Sequence, residues 1–277
     1  MTNGDKGPSS DLKDFVSDFD AQKEKLIGAL KRLCATYHYE VQGRSLLPSA
    51  AKILLSYDCE RKARFYIKNP GANVEPHFDP YYGEKSRFTT TYILDHLKRR
   101  LSEEGIEYTI TTESRSELGV YDVVVGLKPK DVVPPRKQAT LRLEVKASEG
   151  IPLEQVARYL ISDSAPLILV RVAFGQVTVL RREDLQPFSL MLIESLVAKA
   201  NRLAEGKHVT IPGGDCFDCR DTTCDYFRGW RKRSDVVSLG AVEFQRDMDS
   251  FFENLPSVAE TTSLVVLDEL RNEMEAQ

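Results

Sequence analysis

The chain has 277 residues, with 38 Lys and Arg against 42 Asp and Glu and a formal net charge of −4. That balance excludes a protein that coats nucleic acid through its overall charge, so any such contact must come from local basic clusters. No stretch approaches the roughly 20 apolar residues that cross a bilayer, and the polar start of the chain is no signal peptide, so the expectation is a cytoplasmic protein with no membrane partner.

Residues 1–12 read as a flexible leader. From Leu12 to Tyr37 the recurrence of Leu26, Leu30, Leu33 and Tyr37 predicts a helix, with Cys34 beside its apolar face as a core thiol. Pro48 opens a second helical stretch, Ser49 to Ile67, which carries Cys59 and is stopped by Asn69-Pro70-Gly71. A loop over 71–83 and an amphipathic helix from Glu84 to Glu104 follow, ended by Gly105. Strands are predicted at Glu107–Thr112, Val120–Leu127 and Thr140–Lys146, the last two joined through the proline-bearing segment 128–138. Pro152 starts a helix over Leu153–Ser162, and two more strands, Leu167–Ala173 and Gln176–Leu180, turn at Phe174-Gly175. A helix over Pro187–Glu205, a loop-rich cysteine segment and a tail of two helices separated by Pro256 complete the chain. The tail reads as an appendage.

The chemistry lies on three of these elements. Glu144 and Lys146 are two apart on a strand and share a face. Asp122 interrupts an apolar strand, where a charge is costly unless it is paired or holds a metal. Gln155 and Tyr159 are four apart on the next helix and share its face, where they could hydrogen-bond a substrate phosphate. Carboxylates suit Mg²⁺ or Mn²⁺, which polarise a phosphodiester and activate water. Five cysteines, three of them crowded, favour metal ligation over disulfides. Cys216, Cys219 and Cys224 need a fourth ligand to complete a zinc or an iron–sulfur site, and the candidates are Cys34 and Cys59.

The runs Gly119-Val120-Tyr121-Asp122, Leu143-Glu144-Val145-Lys146 and Gln155 to Tyr159 resemble the RecB-like branch of the PD-(D/E)XK nucleases. The resemblance implies an α/β, restriction-endonuclease-like core: a mixed sheet flanked by helices, with N-terminal helices and a cysteine-rich iron–sulfur segment. It implies Asp122 and Glu144 as metal ligands, Lys146 as the residue that positions or activates water, and Gln155 and Tyr159 on the substrate side. The stretch Cys59-Glu60-Arg61-Lys62 to Tyr66 is similar to the first cluster segment of iron–sulfur members of that branch, with the CRISPR-associated Cas-four exonucleases nearest in layout. It implies a four-iron four-sulfur cluster on Cys59, Cys216, Cys219 and Cys224, with zinc as the alternative. The resulting divisions are a helical region over 13–70, a nuclease core over 71–205, a cluster and basic segment over 206–233 and a helical extension over 234–277.

The same resemblance implies a histidine near residues 83–87 as a third metal ligand, and none is there. Glu84, His77 and His96 are the candidates to replace it. Arg61, Lys62, Arg228, Trp230, Arg231, Lys232 and Arg233 combine charge with an aromatic group, which suits single-stranded nucleic acid. The expected function is a metal-dependent exonuclease acting on single-stranded DNA ends, in CRISPR spacer acquisition with integrase partners or in DNA-end processing. A homo-oligomer is compatible with it. The alternative is a non-catalytic nucleic-acid-binding or assembly protein on the same fold with a structural metal site.

Overall fold

The structure is a computed structural model that describes residues 10–37, 47–56, 58–69, 80–116, 118–127, 140–147, 153–162, 164–212, 216, 219–227 and 241–275. It is mixed α/β. Five strands, β1 (Tyr108–Arg115), β2 (Val120–Leu127), β3 (Thr140–Lys146), β4 (Leu167–Arg171) and β5 (Gln176–Leu180), form one sheet in sequential order. All neighbours are antiparallel except β3 and β4. A parallel pair needs a crossover, and helix α5 (Leu153–Ser162) supplies it.

The two faces of the sheet are covered differently. Leu141, Leu143 and Val145 of β3 and Ile168 and Val170 of β4 pack with helices α4 (Pro80–Glu103) and α7 (Ala241–Glu275). Leu167 and Leu169 of β4 point the other way, to Val156, Tyr159 and Leu160 of α5. Behind α5, a second core joins α1 (Ser10–Thr36), α2 (Leu47–Ser56), α3 (Glu60–Lys68) and α6 (Gln186–Ala204). Cys34 packs against this second core, and burial pushes its thiol up to about 11, the behaviour of an inert core cysteine.

Three sequence expectations need correction. The single helix expected over 49–67 is two, because Cys59 is extended at φ −74° and ψ 108° and caps α3 instead of continuing α2. The run after β4 turns into a short 3-10 segment, Val172–Phe174, closed by Gly175 at φ +63°. The tail is one helix of 35 residues with Pro256 inside it. A proline in a helix interior costs about 3 kcal/mol through its missing N–H and its ring. Phe251, Leu255, Val258, Ala259, Val266, Leu267 and Leu270 are all buried along α7, each large side chain contributing roughly 1.5–3 kcal/mol. Burial therefore outweighs the proline, and α7 forms part of the core over the sheet where an appendage was expected. The segment 128–138 and residues 1–9 of the expected leader lie outside the described residues, while residues 10–12 of that leader belong to α1.

Among the described residues, no helix is long and apolar enough to cross a membrane.

Candidate functional site

The β2–β3 ladder pairs Val123 with Leu143 and goes no further toward Asp122 and Glu144. Past that point the backbone N–H of Val145 donates to Asp122 Oδ2 at 2.8 Å, so a side chain takes over where the ladder stops. Strand alternation puts Glu144 and Lys146 on the α5 face, opposite Leu143 and Val145. The structure thus brings Asp122, Glu144, Lys146, Gln155 and Tyr159 together.

Glu144 is fully buried. Its Oε1 pairs with Lys146 Nζ and accepts a 2.7 Å hydrogen bond from Gln155 Nε2. Its Oε2 is buried without a hydrogen-bond partner. Burial, and next the charge of Asp122, push the Glu144 carboxyl up to about 7, although Lys146 pulls it down. Asp122 is also raised, chiefly by burial; the Val145 N–H and Lys146 oppose the rise and the negative charge of Glu113 adds to it. Two neighbouring carboxyls raised by burial, one with an orphaned oxygen, make a site short of positive charge. A hard divalent cation fits that donor chemistry, with Asp122 and Glu144 as its holders. Among the described residues, no three His, Cys, Asp or Glu side chains are close enough together to hold one metal ion in this conformation.

Gln155 and Tyr159 differ from the expectation of a substrate-side pair. Gln155 Nε2 donates to Tyr159 Oη at 2.6 Å as well as to Glu144, and Tyr159 Oη donates to Val120 O. Tyr159 is only 2% exposed, which leaves its ring no route to a substrate. It is a positioning residue: it holds Gln155, and Gln155 orients Glu144. Gly119 gives the ring room, since a Cβ there would stand 2.3 Å from Tyr159 Cε1. Arg158, buried beneath, donates from Nη1 to Leu118 O at 2.7 Å and anchors the approach to β2.

Two of the three third-ligand candidates, His96 and Glu84, have other partners. His96 turns both ring nitrogens to α7, with Nδ1 3.1 Å from Ser263 Oγ and Nε2 3.2 Å from Glu260 Oε2. Glu84 has a side chain 73% exposed, in an i,i+3 pair with Arg87. His77 lies outside the described residues, as do Arg228, Trp230, Arg231, Lys232 and Arg233.

The four cysteines named from the sequence face one hollow, although in this conformation no three of them are close enough to hold a single metal ion. Cys59, Cys216, Cys219 and Cys224 line this hollow together with Arg61, Lys62, Thr210, Tyr226 and Phe227. Burial raises the Cys219 thiol, while the Asp221 N–H and Lys62 pull it back. Thiolate donors beside a buried cation suit a zinc ion or an iron–sulfur cluster, since the ligand must be deprotonated and the ensemble is anionic.

Two clasps that the sequence did not reveal hold these cysteines together. Glu60, buried directly after Cys59, receives Arg202 from α6 and the Val209 N–H at 2.9 Å, while its own N–H donates to Val209 O at 3.1 Å. Burial alone would raise the Glu60 carboxyl; Arg202 and the Val209 N–H outweigh it and hold it below the ordinary range. Arg61 donates to Asp221 Oδ2 at 2.8 Å and Thr223 Oγ1 at 3.0 Å, and Asp221 in turn caps the turn before Cys224. Partners some 140 to 160 positions apart leave no local sequence signal. Lys62, expected on a nucleic-acid surface, is therefore corrected, being 2% exposed, while Arg61 is partly exposed and engaged by the cysteine turn.

Comparison with family models, with curated proteins and with solved structures gives no match for this chain.

Proposed function

We propose that this protein is a metal-dependent nuclease of the PD-(D/E)XK type, with the RecB-like arrangement, that hydrolyses single-stranded DNA from its ends. The observation that carries the reading is Glu144: fully buried, one oxygen orphaned, facing Asp122, with Lys146 on the same strand face. Burying a carboxylate in that state costs stability and has no packing benefit, so a cationic ligand is the simplest reason for it. Mg²⁺ or Mn²⁺ bound there would supply Lewis-acid polarisation of the phosphodiester. The chain's own residues do the rest. Lys146 Nζ lies at the Glu144 carboxylate, where it can orient a water and offset charge on the phosphate. Gln155, held by Tyr159, keeps Glu144 in one orientation.

The cysteine hollow belongs to the same proposal as a structural clasp. A metal group on Cys59, Cys216, Cys219 and Cys224 would close a loop well over 100 residues long around the sheet, worth several kcal/mol by analogy with a disulfide. An iron–sulfur cluster, rather than zinc, and a role in CRISPR spacer acquisition or DNA-end processing are carried by the sequence resemblance.

The test is Mn²⁺-dependent degradation of end-labelled single-stranded DNA by anaerobically purified protein, beside Glu144→Ala, with a visible absorption spectrum of each sample. Brown wild-type protein whose activity is lost in the variant supports both parts. Colourless, zinc-loaded protein that is as inactive as its variant overturns the nuclease reading and favours a binding or assembly role on the same fold.

A further inference from the structure

We propose that Glu113 on β1 is the third carboxylate of the cation site formed by Asp122 and Glu144, in place of His96 and Glu84, which are engaged elsewhere. This inference rests on the nuclease reading and adds a residue to it. The β1–β2 register pairs Thr112 with Val123 and Ser114 with Tyr121, so Glu113 is directly opposite Asp122. Directly opposed residues of an antiparallel pair bring their side chains to one place.

Glu113 is also the sole non-glycine residue with positive φ, at 51°, among the described residues. The left-handed region costs an L-residue about 1–2 kcal/mol, and glutamate has none of the short-chain compensation that asparagine has there. The ladder is disturbed at this point on both strands. Tyr121 joins the α5 side, its ring centroid 4.6 Å from that of Tyr159, while Val123, two residues on, packs on the α4 and α7 side. The usual alternation therefore breaks at Asp122.

The independent sign of a ligand is Glu144 Oε2, buried and unpartnered within this acidic group. The three carboxylates form a gradient of burial: Glu144 is buried, Asp122 half-buried and Glu113 exposed. Glu113 is near enough for its charge to act on Asp122. As they stand the three carboxylates are not close enough to share one ion, so Glu113 would close over an ion held by the two deeper carboxylates through a change of side-chain rotamer; a site of a few carboxylates and several waters is what Mg²⁺ and Mn²⁺ prefer.

The test is Mn²⁺ affinity by titration calorimetry on the full chain, comparing wild type, Asp122→Asn, Glu113→Gln and Glu113→Asn, with thermal unfolding of each. The expected result is a Kd on the order of tenfold or more weaker in both Glu113 variants. Glu113→Asn should also unfold at a higher temperature than wild type, since asparagine tolerates the left-handed backbone. Binding lost in Asp122→Asn but changed less than about twofold in the Glu113 variants would overturn the inference and leave the nuclease reading intact. No Mn²⁺ binding by wild type, or equal binding by wild type and Asp122→Asn, would overturn both.

Discussion

Glu144→Gln isolates the electrostatic cost built into the candidate active site. Without a divalent cation, burial and Asp122 lift the Glu144 carboxyl from 4.5 to about 7. At about 1.4 kcal/mol per pKa unit, the full difference is roughly 3 kcal/mol. The folded state holds this proton more tightly than the unfolded chain. The stability it confers is therefore complete below the unfolded pKa of 4.5 and is lost as pH rises through the folded value near 7. Glutamine stays neutral and keeps a carbonyl oxygen for Gln155 Nε2, so the variant lacks this part of the pH dependence. Urea unfolding of both proteins, in buffer freed of divalent cations, should show wild type losing about 2–3 kcal/mol relative to the variant between about pH 5 and pH 8. For a chain of 277 residues that is roughly 4 °C in Tm. Costs independent of pH cancel in this double difference, and the ion pair with Lys146, which needs an ionised Glu144, is already included in the folded value near 7. Parallel pH profiles for the two proteins would refute the argument that Glu144 is held in an unfavourable, cation-seeking setting.

Gly119→Ala should destabilise by about 1–3 kcal/mol in urea unfolding, because its Cβ would overlap the Tyr159 ring, and Mn²⁺ affinity should fall with it as Gln155 loses its support. Glu60→Gln should cost about 1–3 kcal/mol by leaving Arg202 and the Val209 N–H poorly partnered, and should speed labelling of Cys59 by a thiol reagent in metal-depleted protein. Unchanged labelling would show that Glu60 does not hold Cys59 in the hollow. Cys59→Ser should remove the metal measured by elemental analysis, whereas Cys34→Ser should retain it; equal loss in both variants would break the assignment of the fourth ligand.

Where local pattern decides structure, the sequence was sufficient. The valine-rich run of β2 and the alternating β3 have the observed boundaries because a half-buried strand leaves a period of two in its own residues. Gly105 and Gly175 stop their segments at φ +65° and +63°, a conformation glycine adopts without strain. The sharing of one face by Glu144 and Lys146, and of another by Gln155 and Tyr159, followed from strand and helix geometry alone. The choice of Cys59 over Cys34 as the companion of Cys216, Cys219 and Cys224 came from a resemblance in the residues around it, and the same four line one hollow.

Tertiary structure decided what depends on partners far away in the chain. Pro256 is a helix breaker by local rules, yet α7 runs through it because its apolar face is buried against the sheet. Arg61 and Lys62 look like solvent-facing cations until Asp221 and the cysteine hollow are folded onto them. Tyr159 looks able to reach a substrate until Gly119 and Val120 close over it. The positive φ of Glu113 has no mark in Thr111-Thr112-Glu113-Ser114, which holds no glycine or asparagine to favour it. Strand and helix periods set which residues of an element share a face, except where the alternation of β2 breaks at Asp122. Burial and pairing at long range determined which of those faces meet, since the energy of a desolvated charge or a packed ring depends on neighbours that only the folded chain supplies.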